Sequence, residues 1–250
     1  MADDTSIGGT RGEFPVTRWS AVLAARSDNP DERRRAFDTL IAAYWKPVYK
    51  YIRMRWGKSN EDAKDATQEF FARVMEKDFL AGYDPAKARL RTFLRVCVDG
   101  FVANLDKAAR RIKRGGEAQI LSLDFETAEG ELRQMDPPAP DRVDDFFEKE
   151  FVRSLFTMAV EQRRAECEAR GKQTHFLLFE QYDLDDAGER PLTYEELARQ
   201  HGIAVTDVTN YLAYARREFR RIALEKLAAM CGSEEEFRRE ARSILGMDKE

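Results

Sequence analysis

Apolar side chains in this chain recur three or four positions apart along most of its length, and strict alternation of apolar with polar residues is absent. That period matches the turn of an α-helix and excludes half-buried strands, whose period is two. Phe37, Leu40, Ile41, Tyr44, Val48 and Ile52 mark one buried face. Pro47 lies inside it and is expected to kink or split that helix, because proline removes a backbone donor. A second helix is expected from an N-cap at Ser59 to about Lys77. Its apolar side is Ala63, Ala66, Phe70 and Val74, while Asp62, Asp65, Glu69 and Glu76 line another side. A third helix carries Leu90, Phe93, Leu94, Cys97, Phe101, Leu105 and Ile112 and stops at Gly115-Gly116, a natural C-terminal cap. The chain reads as all-α.

Composition narrows what such a helical chain does. The three cysteines, Cys97, Cys167 and Cys231, are far apart and in no metal-like spacing, and Met1-Ala2-Asp3-Asp4 lacks the basic and apolar parts of a signal peptide. No run approaches the roughly 18 apolar residues of a membrane helix. The expectation is a reduced, cytoplasmic, soluble protein that needs no cofactor or metal. With only His175 and His201, the commonest acid–base side chain and metal ligand is nearly missing, which argues against most enzyme classes.

The formal net charge of −4 conceals segregation. Between Arg89 and Arg114, eight basic residues meet only Asp99 and Asp106, whereas from Glu117 to Glu150 eleven acids meet only Arg133, Arg142 and Lys149. Pro137, Pro138 and Pro140 fall in the acidic stretch, so residues 117–143 are expected to be an interdomain linker. Two small helical domains then occupy residues 31–116 and 144–231. An N-terminal segment (1–30) precedes them, and a charged C-terminal helix (232–250) follows. Helical spacing resumes with Phe147, Phe151, Leu155 and Met158 and continues through Phe176, Leu177 and Phe179. Thr193-Tyr194-Glu195-Glu196 has the form of a capping box, and Ser233 with Glu236 repeats it.

Leu192 to Arg217 carries the sharpest local signal. A helix ends near Gln200, Gly202 permits a tight turn, and another helix begins near Thr206. Leu197, Ala198, Ile203 and Val208 fall where a helix-turn-helix buries side chains, and Val208, Leu212, Ala215 and Phe219 continue as a buried stripe. Thr206, Thr209, Asn210, Tyr214, Arg216, Arg217 and Arg220 are left to meet DNA, since Asn bonds adenine bidentately and Arg reaches guanine or phosphate. Helical hairpins of other purpose share this spacing. The basic helix from Arg89 to Arg114 combines cations with Phe93 and Phe101, the pairing of charge and flat side chains that single-stranded DNA requires. Phe93 fits the apolar core better, and Phe101 is the more open of the two. The cluster Arg110, Arg111, Lys113 and Arg114 suits phosphate contact, although a basic C-terminus also complements the helix dipole.

Two motif blocks carry a family resemblance. Glu61 to Val74 reads EDAKDATQEFFARV, and Arg89 to Arg114 reads RLRTFLRVCVDGFVANLDKAARRIKR. With the distal helix-turn-helix, the chain from about Phe14 to Leu227 resembles an extracytoplasmic-function (ECF) sigma factor of bacterial RNA polymerase. Thr17-Arg18-Trp19-Ser20, Glu76-Lys77-Asp78-Phe79-Leu80 and Leu121-Ser122-Leu123-Asp124 resemble one large subgroup of it. The resemblance implies that residues 31–116 form a region-two domain whose Asp62, Asp65, Gln68 and Glu69 face the clamp helices of core polymerase, with Phe70 or Phe71 anchoring the helix beneath. It implies that Arg91, Arg95, Phe101, Asn104, Lys107, Arg110, Arg111, Lys113 and Arg114 hold the melted minus-ten strand. Region four would be the helix-turn-helix, reading minus-thirty-five duplex, and the acidic linker would thread the polymerase cleft. An anti-sigma factor or kinase is a further partner of such proteins.

The match has departures. Gly100 stands where many members have Asn, and Asn104 where an acid is common. Ala204 takes the place of the usual capping Ser, which moves the expected cap to Thr206. The alternative from another class is a sigma-like adaptor or decoy that binds polymerase without opening promoters. An independent helix-turn-helix repressor would need a dimer interface, for which no candidate is visible. An enzyme ranks last, because the carboxylates are dispersed over helix faces.

Overall fold

The computed structural model describes residues 20–76, 79–109, 121–135, 142–185 and 192–246, and their regular elements are all helical, with no strand among them. In chain order the helices are α1 (Ala21–Ala24), α2 (Pro30–Trp56), α3 (Asn60–Val74), α4 (Leu90–Ala109), α5 (Phe125–Arg133), α6 (Val143–Ala169), α7 (Gln173–Phe179), α8 (Tyr194–His201), α9 (Val205–Ala229) and α10 (Glu234–Leu245). A 3₁₀ turn lies at Phe79–Gly82, and a π-helical turn, Glu180–Leu184, extends α7. Among the described residues, no helix is long and apolar enough to cross a membrane. The three cysteines are free, Cys167 and Cys231 being buried.

The chain divides into two compact units. Residues 156–226 build the first, and residues 20–155 with 227–246 build the second. The sequence places the domain boundary after residue 143 instead. The first turns of α6 explain the shift: Phe147, Phe151 and Leu155 are fully buried, with Phe147 against Tyr51 at 5.4 Å and Phe151 stacked on Tyr44 at 4.9 Å. These apolar side chains belong to the core of the second unit.

Local chemistry accounts for most helix ends in the second unit. Asn29 caps α2 by accepting from Asp31 and Glu32, with Pro30 in the first helical position, and Gly57 closes it at φ 57°. Pro47 does not split α2, which runs unbroken for 27 residues. The apolar stripe stays in phase across it, with Ala43, Tyr44 and Val48 fully buried, and that packing outweighs one lost hydrogen bond. Ser59 caps α3 through the Asp62 N–H, as its sequence implies, although α3 ends at Val74 rather than Lys77.

The expected linker is partly a packed element. Phe125, Ala128, Glu129 and Leu132 are buried at helical spacing and seat α5 against α2. Trp45 and Tyr49 meet Phe125 edge-on or tilted, at 5.5 and 5.1 Å. Glu129 takes the Tyr49 hydroxyl at 2.7 Å and the Arg53 guanidinium at 2.9 Å, while Glu131 takes Lys46 and Lys50 at 2.7 Å each. Lys50, fully buried, also reaches the buried Glu150 at 2.7 Å. Three acids of the stretch read as opposing compaction, Glu129, Glu131 and Glu150, are thus neutralised by cations of α2. Pro137, Pro138 and Pro140 lie outside the described residues.

The C-terminal helix belongs to the second unit as well. Ser233 caps α10 through the Glu236 N–H. Glu236 does not bond back to the cap. Its carboxylate accepts from Gly232 at 2.7 Å, Leu90 at 2.8 Å and the Tyr83 hydroxyl. In the first unit, α8 opens on the capping box of Thr193 and Glu196, which the sequence marks, and turns at Gly202 with φ 65°. Leu197, Ala198, Val208, Leu212 and Ala215 form one core with Cys167, Phe176, Leu178 and Phe179, and Ile203 packs against it.

Candidate nucleic-acid interface

In the first unit, α8 closes at Gly202 and α9 follows from Val205, two helices joined by a short turn at the positions where the sequence leads one to expect them. Helix α9 starts at Val205, so the cap position is Ala204, whose carbonyl accepts from Asp207 and Val208. The expected cap at Thr206 is thus corrected, and Thr206 lies in the first turn. Thr206, Thr209 and Asn210 are exposed on that turn and the next. Arg217 is also open, its side chain 71% exposed. Arg216 is not a free DNA contact: it grips Asp183 of the π-turn at 2.9 and 3.1 Å and lies over the Tyr182 ring. Tyr214 is half-buried among cations, and Arg220 is half-buried.

In the second unit, α3 presents Asp62, Asp65 and Glu69 to solvent, with Gln68 half-buried. Phe70 and Phe71 are both buried, so the choice between them as anchor resolves to both. Phe70 is ringed by Phe71, Phe79 and Phe101 at 5.4, 5.9 and 5.6 Å. This cluster fixes α3 against α4 and leaves the acids as its outer face.

Helix α4 departs furthest from expectation. Phe101, expected to be open for bases, is buried against Phe70, with Arg73 over its ring at 5.2 Å. Arg91 is buried, paired with Glu240 at 2.8 Å and with Glu148. Arg95 holds Asp144 at 2.7 Å, and Arg89 holds Glu240 at 2.7 Å. Each of these arginines is thus matched to an acid of α6 or α10. Burial raises the pKa of Glu240, while Arg91 and Arg89 oppose that shift. Among the described side chains of α4, the exposed positions are Val96, 56% exposed, with Gly100 and Asn104 one and two turns on. Phe93 is half-buried, against Phe79 and Tyr83. The side chain of Lys107 and all of Arg110, Arg111, Lys113 and Arg114 lie outside the described residues.

One polar cluster escapes the sequence reading. Arg163 on α6 is fully buried, and the rings of Tyr214 and Tyr211 lie near it with Lys172 and His175. Ala159, Arg163 and Cys167 are all fully buried at four-residue spacing, so a charge sitting on an apolar stripe was the signal that could have found it. Among the described residues, no group of three or more His, Cys, Asp or Glu is placed to hold a metal ion. No protein-family model, curated protein or solved structure matches the chain.

Proposed function

We propose that this protein is an RNA polymerase sigma factor of the ECF type. It binds bacterial core polymerase, recognises promoter DNA and supports melting, with no catalysis of its own. The observation that carries the proposal is the helix pair α8 and α9 about Gly202, read as a helix-turn-helix, whose second helix exposes Thr206, Thr209 and Asn210 in its first turns. In this motif the N-terminal residues of the second helix contact base edges in the major groove. The exposed acids of α3, set against a phenylalanine cluster, supply a surface for a basic partner helix, which is the role assigned to the clamp helices. On α4 the minus-ten surface moves to Val96, Gly100 and Asn104, together with the basic residues beyond Ala109. Helix α5 does not serve as a cleft-threading tether, because it is part of a packed unit.

A sigma-like adaptor that binds polymerase without opening DNA is the second reading. It is favoured by Phe101 being in the core and Arg91 and Arg95 being paired with acids, which removes three expected strand contacts. Run-off transcription with bacterial core polymerase across genomic fragments separates the two. Specific transcripts that depend on the added protein support the sigma factor. Core binding without transcripts or permanganate-reactive thymines supports the adaptor, and no core binding removes both.

A further inference from the structure

We infer that Lys172, Tyr214 and Arg217, backed by the buried guanidinium of Arg163, form a phosphate-binding site in the first unit. The inference deepens the duplex-binding reading of α9 and rests on it for the source of the phosphate.

Arg163 is fully buried, and none of its three guanidinium nitrogens has a hydrogen-bond partner. Arginine cannot shed its charge, so burial without an anion is costly, and among the described residues no carboxylate pairs with it. Two more cations crowd the same ring. The Tyr214 centroid lies 5.2 Å from the Arg163 guanidinium, 4.7 Å from the Lys172 ammonium and 5.3 Å from the Arg217 guanidinium. His175 sits edge-on to Tyr214 at 5.9 Å and is stacked on Tyr211 at 3.8 Å, with its Nδ1 buried and unpartnered. Burial, then the charges of Lys172 and Arg163, lower its pKa, so the local field is cationic.

The acids nearby are committed elsewhere. Glu166 holds Arg221 at 3.1 Å, Glu180 holds Arg164 at 2.6 Å, and Glu218 holds Arg221 at 3.1 Å, reaching Arg217 only at 3.9 Å. Three cations around one ring make a field that suits an oxyanion, and two of them, Lys172 and Arg217, are placed to donate to it. Lys172 is half-buried and Arg217 exposed, so an anion from solvent meets these two beside the half-buried Tyr214. Arg163 is fully buried and acts through its field, which low surrounding polarity strengthens. Asn210, Tyr214 and Arg217 share one face of α9 by their spacing. A phosphate held there continues the surface that carries Asn210, which points to the duplex backbone as its source.

The test uses the full chain with Arg163→Met, Lys172→Gln and Arg217→Gln. Melting is followed in potassium phosphate and in potassium chloride at equal ionic strength, and binding is measured to a random-sequence duplex over a salt series. The wild type should gain more Tm from phosphate than Arg163→Met does, since the variant keeps only the general effect of an excluded salt. Arg163→Met should also melt higher than wild type in chloride, because an unpaired buried charge has been removed. Lys172→Gln and Arg217→Gln should weaken duplex binding on every sequence alike and flatten its salt slope by about 1 each. Competition between phosphate and duplex supports the backbone as the source. Stabilisation by phosphate without competition keeps the site and assigns it a free phosphate. A lowered Tm in chloride with an unchanged phosphate effect makes Arg163 a stacked core cation and overturns the inference. Should Arg163→Met not fold, the salt slopes of the two surface variants decide alone, and unchanged slopes overturn it. Absence of duplex binding by the wild type would sink the duplex reading of α9 and leave the melting arm to judge the site.

Discussion

The Glu236 carboxylate accepts the backbone N–H of Leu90 at 2.8 Å, so the last helix of the chain caps the first turn of the basic helix α4. A carboxylate there satisfies one of the donors every helix N-terminus leaves open and complements its dipole. The same side chain also takes the Gly232 N–H and the Tyr83 hydroxyl, whose pKa is raised by burial and by this bond. Glu236→Ala therefore strands three donors, two of them buried, and should lower unfolding stability by about 3 kcal/mol, whereas Glu236→Gln, which keeps one acceptor oxygen, should cost less. Urea titrations of both variants check this. Equal losses would mean the charge, not the acceptor geometry, holds α10 in place.

The junction of α5 and α2 should weaken in acid. Arg53 and, less strongly, the Tyr49 hydroxyl hold the Glu129 carboxyl down at about 2. A carboxylate depressed in the folded state contributes stability that is complete above its unfolded value of about 4.3 and is lost as pH falls toward 2. The contribution is on the order of 2 kcal/mol after allowance for partial solvent screening. Wild type and Glu129→Gln should therefore converge in stability as pH falls from about 5 to 2, a convergence that chemical denaturation at stepped pH would reveal.

Asp65→Arg should leave the fold intact and abolish binding to core polymerase. Asp65 is exposed, while Phe70 and Phe71 hold α3 from the other side, so the substitution touches no core contact. Reversing a charge at an interface centre costs about 2–5 kcal/mol of affinity. Wild-type affinity in the folded variant would remove α3 as the docking face and place the polymerase contact elsewhere on the chain.

Some of this architecture was legible in the sequence because local chemistry decides it. The α8 capping box, the Gly202 turn and the stripe Leu197, Ala198, Val208, Leu212 and Ala215 follow from spacing and residue type alone. Helix α5 was missed for the opposite reason. Its stripe of Phe125, Ala128 and Leu132 is short, and the acids around it are neutralised by Lys46, Lys50 and Arg53 from far away in the chain. Phe101 and Arg91 were misread because a cation or aromatic on a helix looks the same whether it faces solvent or a partner. Their partners, Phe70 and Glu240, lie 31 and 149 positions away, and spacing within α4 carries no trace of either.

The acidic segment should restrain the basic helix through two pairs of unequal kind. Asp144 binds Arg95 at 2.7 Å from a position 60% exposed, so that pair sits at the surface and competes directly with a phosphate. Glu148 binds Arg91, which is buried and remains so when its partner is lost. Asp144→Asn should therefore raise affinity for single-stranded DNA a few-fold, in keeping with the roughly 1 kcal/mol a surface pair contributes. Glu148→Gln should bring no such gain and should lower stability, because it weakens the neutralisation of a buried charge. The Asp144→Asn gain should fade as the Debye length shrinks from about 10 Å at 0.1 M salt to about 3 Å at 1 M. Both variants belong in the full chain, since a cut before residue 144 would divide the second unit and part α10 from α4. A gain from Glu148→Gln equal to that from Asp144→Asn would show that net charge, not the pair at Arg95, does the masking. No gain from either would leave the acids of α6 as packing partners alone.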